Sequence, residues 1–231
     1  TFCDWVSVDA SQQAGCVWSR RHIGLVRARG GLPYVWIVDD VNFDDGRSGE
    51  RLYRWRLHVC PENRVLIKGE CASIEGWRNR HGLDVFFARD VAARRPLRLS
   101  RGRQRCGSPD YITPAILRKR LREYASAPRE MVHGPVFQCP LLIASAKGLN
   151  LRMLSLLVPR RHGEEGWQFR SSATLPGTVA FELKGPQFCD RFIWAFDHGL
   201  LQAEGIYERG LWYWERRGRS GRLLASEKVP I

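Results

Sequence analysis

Residues 51–61, RLYRWRLHVCP, alternate cleanly along the chain. Leu52, Arg54, Arg56 and His58 point one way, and Tyr53, Trp55, Leu57 and Val59 the other. A period of two is the signature of a half-buried strand. Similar short runs rich in β-branched and aromatic residues recur at 16–29, 34–41, 63–68 and 83–89. They resume at 136–145, 149–159, 167–172, 178–183, 188–196, 200–207 and 211–216. Turn signals stand between them, among them Gly30-Gly31 and Asp45-Gly46. Short strands separated by regular turns predict an all-β fold, an antiparallel two-sheet β-sandwich filling residues 1–231 as one domain. One segment breaks the pattern. Thr113 is a natural N-cap, Pro114 fits the first helical position, and Ile116, Leu117, Leu121 and Tyr124 follow at helical spacing up to Pro128. This predicts a single inserted helix over 113–127, reached through a basic, turn-rich link beginning at about residue 94 and extending the insertion to about 130.

Charge narrows the partners. Lys and Arg total 37 against 24 acidic residues, for a net charge of +13, and arginine predominates. Such a surface favours polyanions: nucleic acid, anionic lipid or acidic polysaccharide. The guanidinium fork binds carboxylate, sulfate and phosphate alike. No run of 18 apolar residues is present, so no helical membrane span is expected. The seven cysteines stand far apart without a CxxC pair, as expected of free thiols. The chain opens at Thr1 with neither an initiator methionine nor an apolar leader, the start expected of a mature product or an excised domain.

The candidate chemistry gathers on the segment 16–40. A turn centred on Gly30-Gly31 places His22 opposite Asp39, where Cβ atoms about 4.5–5.5 Å apart could share a metal ion or a hydrogen bond. His81 is the leading third ligand and His58 the runner-up, giving nitrogen and carboxylate donors that suit zinc. The alternative is a cross-strand His22–Asp39 hydrogen bond without metal. Because one residue of slip reverses every side chain, the pair depends on register. Arg20 and Arg21 share the same hairpin and Arg56 the next strand, so these three are the candidate ligands for an anionic group. Among nine tryptophans, Trp18, Trp36, Trp55 and Trp77 lie around this segment, as core or as stacking surfaces. No Ser/His/Asp nucleophile motif, phosphate loop or HExxH is present, and Asp44, Asp45 and Asp84 have no partner that the sequence identifies.

The motifs DWVSVDASQQAG, WSRRHIGLVRARGGLPYVWIVDDV, YRWRLHVCPE, EGWRNRHGLDV and NLRMLSLLVP resemble, in order, the C-terminal β-sandwich of the heparinase II/III-like polysaccharide lyases. The resemblance implies a sandwich that follows an N-terminal α/α toroid in its parent protein. It also implies a structural zinc held at His22, Asp39 and His81, although many relatives carry Tyr-Gly where this chain has His81-Gly82. The family reaction is β-elimination at a uronic acid. A base removes the C5 proton, a cation or amide neutralises the carboxylate, and an acid assists the leaving oxygen. The main catalytic residues belong to the toroid, and where some relatives have a catalytic histidine on the sandwich this chain has Arg20, a poor base at neutral pH. The implied role is binding acidic, uronate-containing polysaccharide rather than autonomous cleavage, in a periplasmic, cell-envelope or secreted setting. A basic nucleic-acid-binding domain and a lyase-derived scaffold without ligand are the rivals.

Overall fold

The computed structural model describes residues 2–11, 16–27, 33–46, 49–59, 63–76, 81–93, 96–106, 137–164, 166–197 and 199–230. The expected helix at 113–127 lies outside the described residues. Among them the strands in the first half are β1 (Cys3–Asp9), β2 (Trp18–Val26), β3 (Tyr34–Asn42), β4 (Arg51–His58), β5 (Arg64–Lys68), β6 (Cys71–Glu75), β7 (Gly82–Arg89) and β8 (Arg98–Cys106). The second half adds β9 (Phe137–Gly148), β10 (Asn150–Arg160), β11 (Gln168–Ser171), β12 (Thr178–Lys184), β13 (Phe188–Ala195), β14 (Leu200–Ala203), β15 (Ile206–Arg209), β16 (Trp212–Gly218) and β17 (Leu223–Val229). Every pairing is antiparallel.

The fold is the all-β antiparallel sandwich that the alternation predicts, with a third layer added. A central seven-stranded sheet runs β1-β2-β3-β10-β7-β6-β5. One face carries Tyr34, Trp36, Val38, Leu154 and Leu156, which pack on Phe181, Phe192, Trp194 and Trp212 of the five-stranded sheet β11-β12-β13-β16-β17. The other face carries Val41, Val85, Phe87 and Met153, which pack on Trp55, Leu142 and Ala144 of the three-stranded sheet β4-β9-β8. The central strands β10 and β7 are therefore apolar on both faces, which is why they read as continuous apolar runs rather than alternating ones. The β14-β15 hairpin covers the outside of the five-stranded sheet through Leu201, Ala203 and Ile206. Residues 200–207 were expected as one strand; Gly205, at φ 71°, turns the chain back within them.

Tryptophan supplies much of the first core: Trp36, Trp194, Trp212 and Trp214 are all fully buried. At roughly 150–250 Å² each, burial contributes about 4–6 kcal/mol gross per ring before entropy is counted. A polar knot sits among them. Arg216 donates from Nε and Nη2 to the two carboxylate oxygens of Asp190, both at 2.6 Å. Tyr34 Oη donates to Asp190 Oδ2 at 2.8 Å and accepts from Trp214 Nε1 at 2.9 Å. The knot thus ties β3 of the central sheet to β13 and β16. Cys3, Cys16, Cys71 and Cys189 are free thiols.

Candidate functional site

The hairpin residues are placed by a register one step from expectation. His22 pairs with Val38 and Arg21 with Asp39. Val26 pairs with Tyr34, so the paired residue numbers sum to 60 where a turn centred on Gly30-Gly31 requires 61. Packing fixes this choice. Gly24 pairs with Trp36, and a methyl group at Gly24 would stand 2.1 Å from the indole ring. The one position on β2 without a side chain is therefore the position over which Trp36 lies, and any slip would drive that ring into Ile23 or Leu25.

The expected His22–Asp39 pair is corrected accordingly to Arg21–Asp39. Arg21 donates from Nε to Asp39 Oδ1 at 2.6 Å and from Nη2 to Oδ2 at 3.1 Å, and its Nη2 also reaches Tyr53 Oη at 3.3 Å. Burial pushes the Asp39 carboxyl above its ordinary value while these hydrogen bonds pull it back. Arg21 therefore braces the central sheet against β4. Arg20, opposite Asp40 on the other face, is ion-paired to Asp9 at 3.3 Å. Both arginines already hold carboxylates of this chain.

His22 turns inward, its ring 4.3 Å from that of Trp194 and 6.4 Å from that of Trp5. Its buried Nδ1 has no hydrogen-bond partner among the described residues. Burial, with Arg20 adding like charge, pushes the imidazole down to about 4. A histidine that is harder to protonate folded than unfolded stabilises fully above its unfolded pKa of about 6.5, and this contribution is lost as pH falls from there toward 4. With solvent screening at this partly exposed ring, denaturation curves should lose on the order of 1–2 kcal/mol across that window, and His22→Phe should flatten the loss.

The expected zinc ligands do not converge. Asp39 faces away from His22 and is occupied by Arg21. The row through His22 runs across Val38 and Leu154 to Ala88, so His81, seven residues before Ala88, lies three strands over and about 23 Å further along. His58 stands on the exposed face of the outer sheet. Among the described residues no group of three or more His, Cys, Asp or Glu side chains is placed to hold a metal ion. The residues present do not fit the expected zinc, and no role is derived through it.

Positive charge concentrates elsewhere. The three strands of the outer sheet contain no Asp or Glu: β4 has three arginines, β8 has four and β9 has Lys147. Tyr53, Trp55 and Leu57 of β4 face the core, as the alternation predicts, and leave Arg54, Arg56 and His58 exposed. Arg54 and Arg98 flank Ser145 in one row, and Arg56 and Ser100 flank Ile143 in the next. Two strand spacings separate Arg54 from Arg98 by about 9–10 Å, and two residues separate Arg54 from Arg56 by about 7 Å. Lys147 extends the same face beside Leu52, and Arg101 and Arg103 are exposed on the edge strand β8. Among the described residues none of Arg54, Arg56, Arg98, Arg101, Arg103 and Lys147 has a carboxylate partner. Of the three arginines expected to bind an anion, Arg56 stands on this face; Arg98 was hidden in what reads as a basic link.

The architecture has a counterpart. The heparan sulfate lyase HepC from Pedobacter heparinus superposes with a TM-score of 0.52 at 9% sequence identity, over 78% of this chain and 24% of that chain. The β domain is lyase-like in fold. The chain spans about a quarter of that enzyme's length, so the likeness concerns one part of a longer lyase. No family model and no curated protein sequence matches this chain.

Proposed function

We propose that this chain is the β-sandwich portion of a polysaccharide lyase-like protein and binds acidic, uronate-containing polysaccharide on the outer face of the β4-β9-β8 sheet. The basic face carries the reading: Arg54, Arg56, Arg98 and Lys147, none with a carboxylate partner among the described residues, stand at spacings set by the sheet. An extended polymer bearing a carboxylate or sulfate on successive sugars meets such a face with one charge-assisted contact per group. The β-elimination step would fall to a toroid domain of the parent protein. Within this chain Arg20 and Arg21 are held by Asp9 and Asp39, and neither is a base at neutral pH. On this reading the protein works in the periplasm, in the cell envelope or outside the cell.

A nucleic acid would also answer to positive charge, but single strands are bound mainly by stacking on exposed aromatic rings. On this sheet Tyr53 and Trp55 point inward instead, toward the core. Competition at physiological ionic strength tests the distinction. Heparan sulfate fragments should displace a labelled single-stranded oligonucleotide of equal charge about tenfold more effectively than the unlabelled oligonucleotide does, a difference of about 1.4 kcal/mol. Equal or better competition by the oligonucleotide would replace the polysaccharide reading with the nucleic-acid one.

A further inference from the structure

On the side of the central sheet away from the basic face, β5, β6 and β7 extend past the five-stranded sheet. Residues 166–167 close against them and help line a half-open cavity of about 350 Å³. That is the size of a small-ligand pocket. Two of its walls rest on glycines. A methyl group at Gly82, the cross-strand neighbour of Arg160, would stand 2.9 Å from Arg160 Nη2, and one at Gly185 would stand 2.4 Å from the ring of Trp167. The guanidinium and the indole are thus seated flat against backbone.

The polar wall is ordered from behind. Asp84, almost fully buried, accepts a hydrogen bond from Ser73 Oγ at 2.7 Å, and its Oδ2 lies 3.3 Å from Arg160 Nε. A carboxylate has about four acceptor positions and a guanidinium five donors, so these contacts exhaust neither group, and both side chains line the cavity. Lys68 and Glu75 complete the rim. Two cations balanced by two carboxylates give no net attraction for an anion. They do offer donors and acceptors side by side, next to the indole of Trp167 and the largely buried ring of Phe86, which stacks on Phe169.

We infer that this cavity binds an uncharged sugar unit. A neutral pyranose presents hydroxyls that both donate and accept, together with a C–H face that packs on an indole, and it answers each wall in turn. The site is separate from the polyanion face, across the central sheet, and does not depend on it.

Saturation-transfer NMR on the full chain, with glucose, galactose and N-acetylglucosamine as probes and glucuronate as the charged control, tests the inference. At least one neutral sugar should receive saturation, more strongly than glucuronate, and with no loss at high salt. Arg160→Met should weaken that binding about tenfold, the scale of one lost hydrogen bond to a charged group. Gly82→Ala, whose methyl would meet Arg160 Nη2 at 2.9 Å and the Ile74 carbonyl oxygen at 3.3 Å, should displace the guanidinium and weaken it as well. Transfer to none of the three sugars, transfer unchanged in both variants, or binding that salt abolishes would overturn the assignment.

Discussion

Arg216→Ala is expected to destabilise the fold by about 3–5 kcal/mol, the cost of leaving one partner of a buried ion pair uncompensated. Asp190 is completely buried, and without Arg216 its charge would be met only by neutral donors, the Tyr34 hydroxyl and the Trp214 indole. Burial already pushes the Asp190 carboxyl upward, against the pull of Arg216 and Tyr34. Removing the cation removes that pull, so the carboxyl would rise further and take up a proton more readily folded than unfolded. The variant's deficit should therefore shrink as pH falls. Chemical denaturation at neutral and acidic pH measures both effects. The double variant Arg216→Met, Asp190→Leu should cost less than the sum of the single changes, because it leaves no charge stranded. Strict additivity would show that the pair is not coupled.

Gly24→Ala should be comparably severe although it adds only one methyl group. That methyl would lie 2.1–2.5 Å from three atoms of the Trp36 indole. The ring is fully buried, with its centroid 4.9 Å from that of Phe192, 5.8 Å from Trp194 and 5.9 Å from Trp212, so it has nowhere to move. Overpacking normally costs about 1–3 kcal/mol, and a clash against a fixed ring at the sheet interface should reach about 3. For a chain of this size that is a fall in Tm of about 6–12 °C. A variant that melts within a degree of the parent would mean that the hairpin register is set by something other than Trp36 over Gly24.

These two sites also show what the sequence made legible. The alternation in residues 51–58 correctly assigns inner and outer faces because a half-exposed strand writes its environment into every second position. The hairpin register was not legible, since it depends on whether the loop holds an odd or even number of residues and on which side chain needs the gap at Gly24. That single step separates His22 from Asp39 and converts an expected metal site into an Arg21–Asp39 brace. Strand β8 resembles a linker in the sequence because Gly102 and four arginines look like turn chemistry. Gly102 is tolerated in the strand because Ile143 fills its place, with Cδ1 2.7 Å from where a Cβ would be. The signal that could have found β8 is the apolar pair Leu97 and Leu99, which packs on the core beneath the arginines. The cavity beside Trp167 joins residues some hundred positions apart through two glycines, and no local pattern announces it.

The central claim is that the outer sheet face binds acidic polysaccharide, and its most direct test is the salt dependence of heparan sulfate binding. The parent chain is compared with the triple variant Arg54→Gln, Arg56→Gln, Arg98→Gln. Each contact to a polyanion releases counterions and contributes about 0.7–0.9 to the slope of log K against log salt, so the variant's slope should fall by about 2–3. At roughly 0.5–1 kcal/mol per exposed contact, affinity at physiological salt should drop by about 10- to 100-fold. A triple variant that folds, binds with the parent affinity and keeps the parent slope would contradict the account.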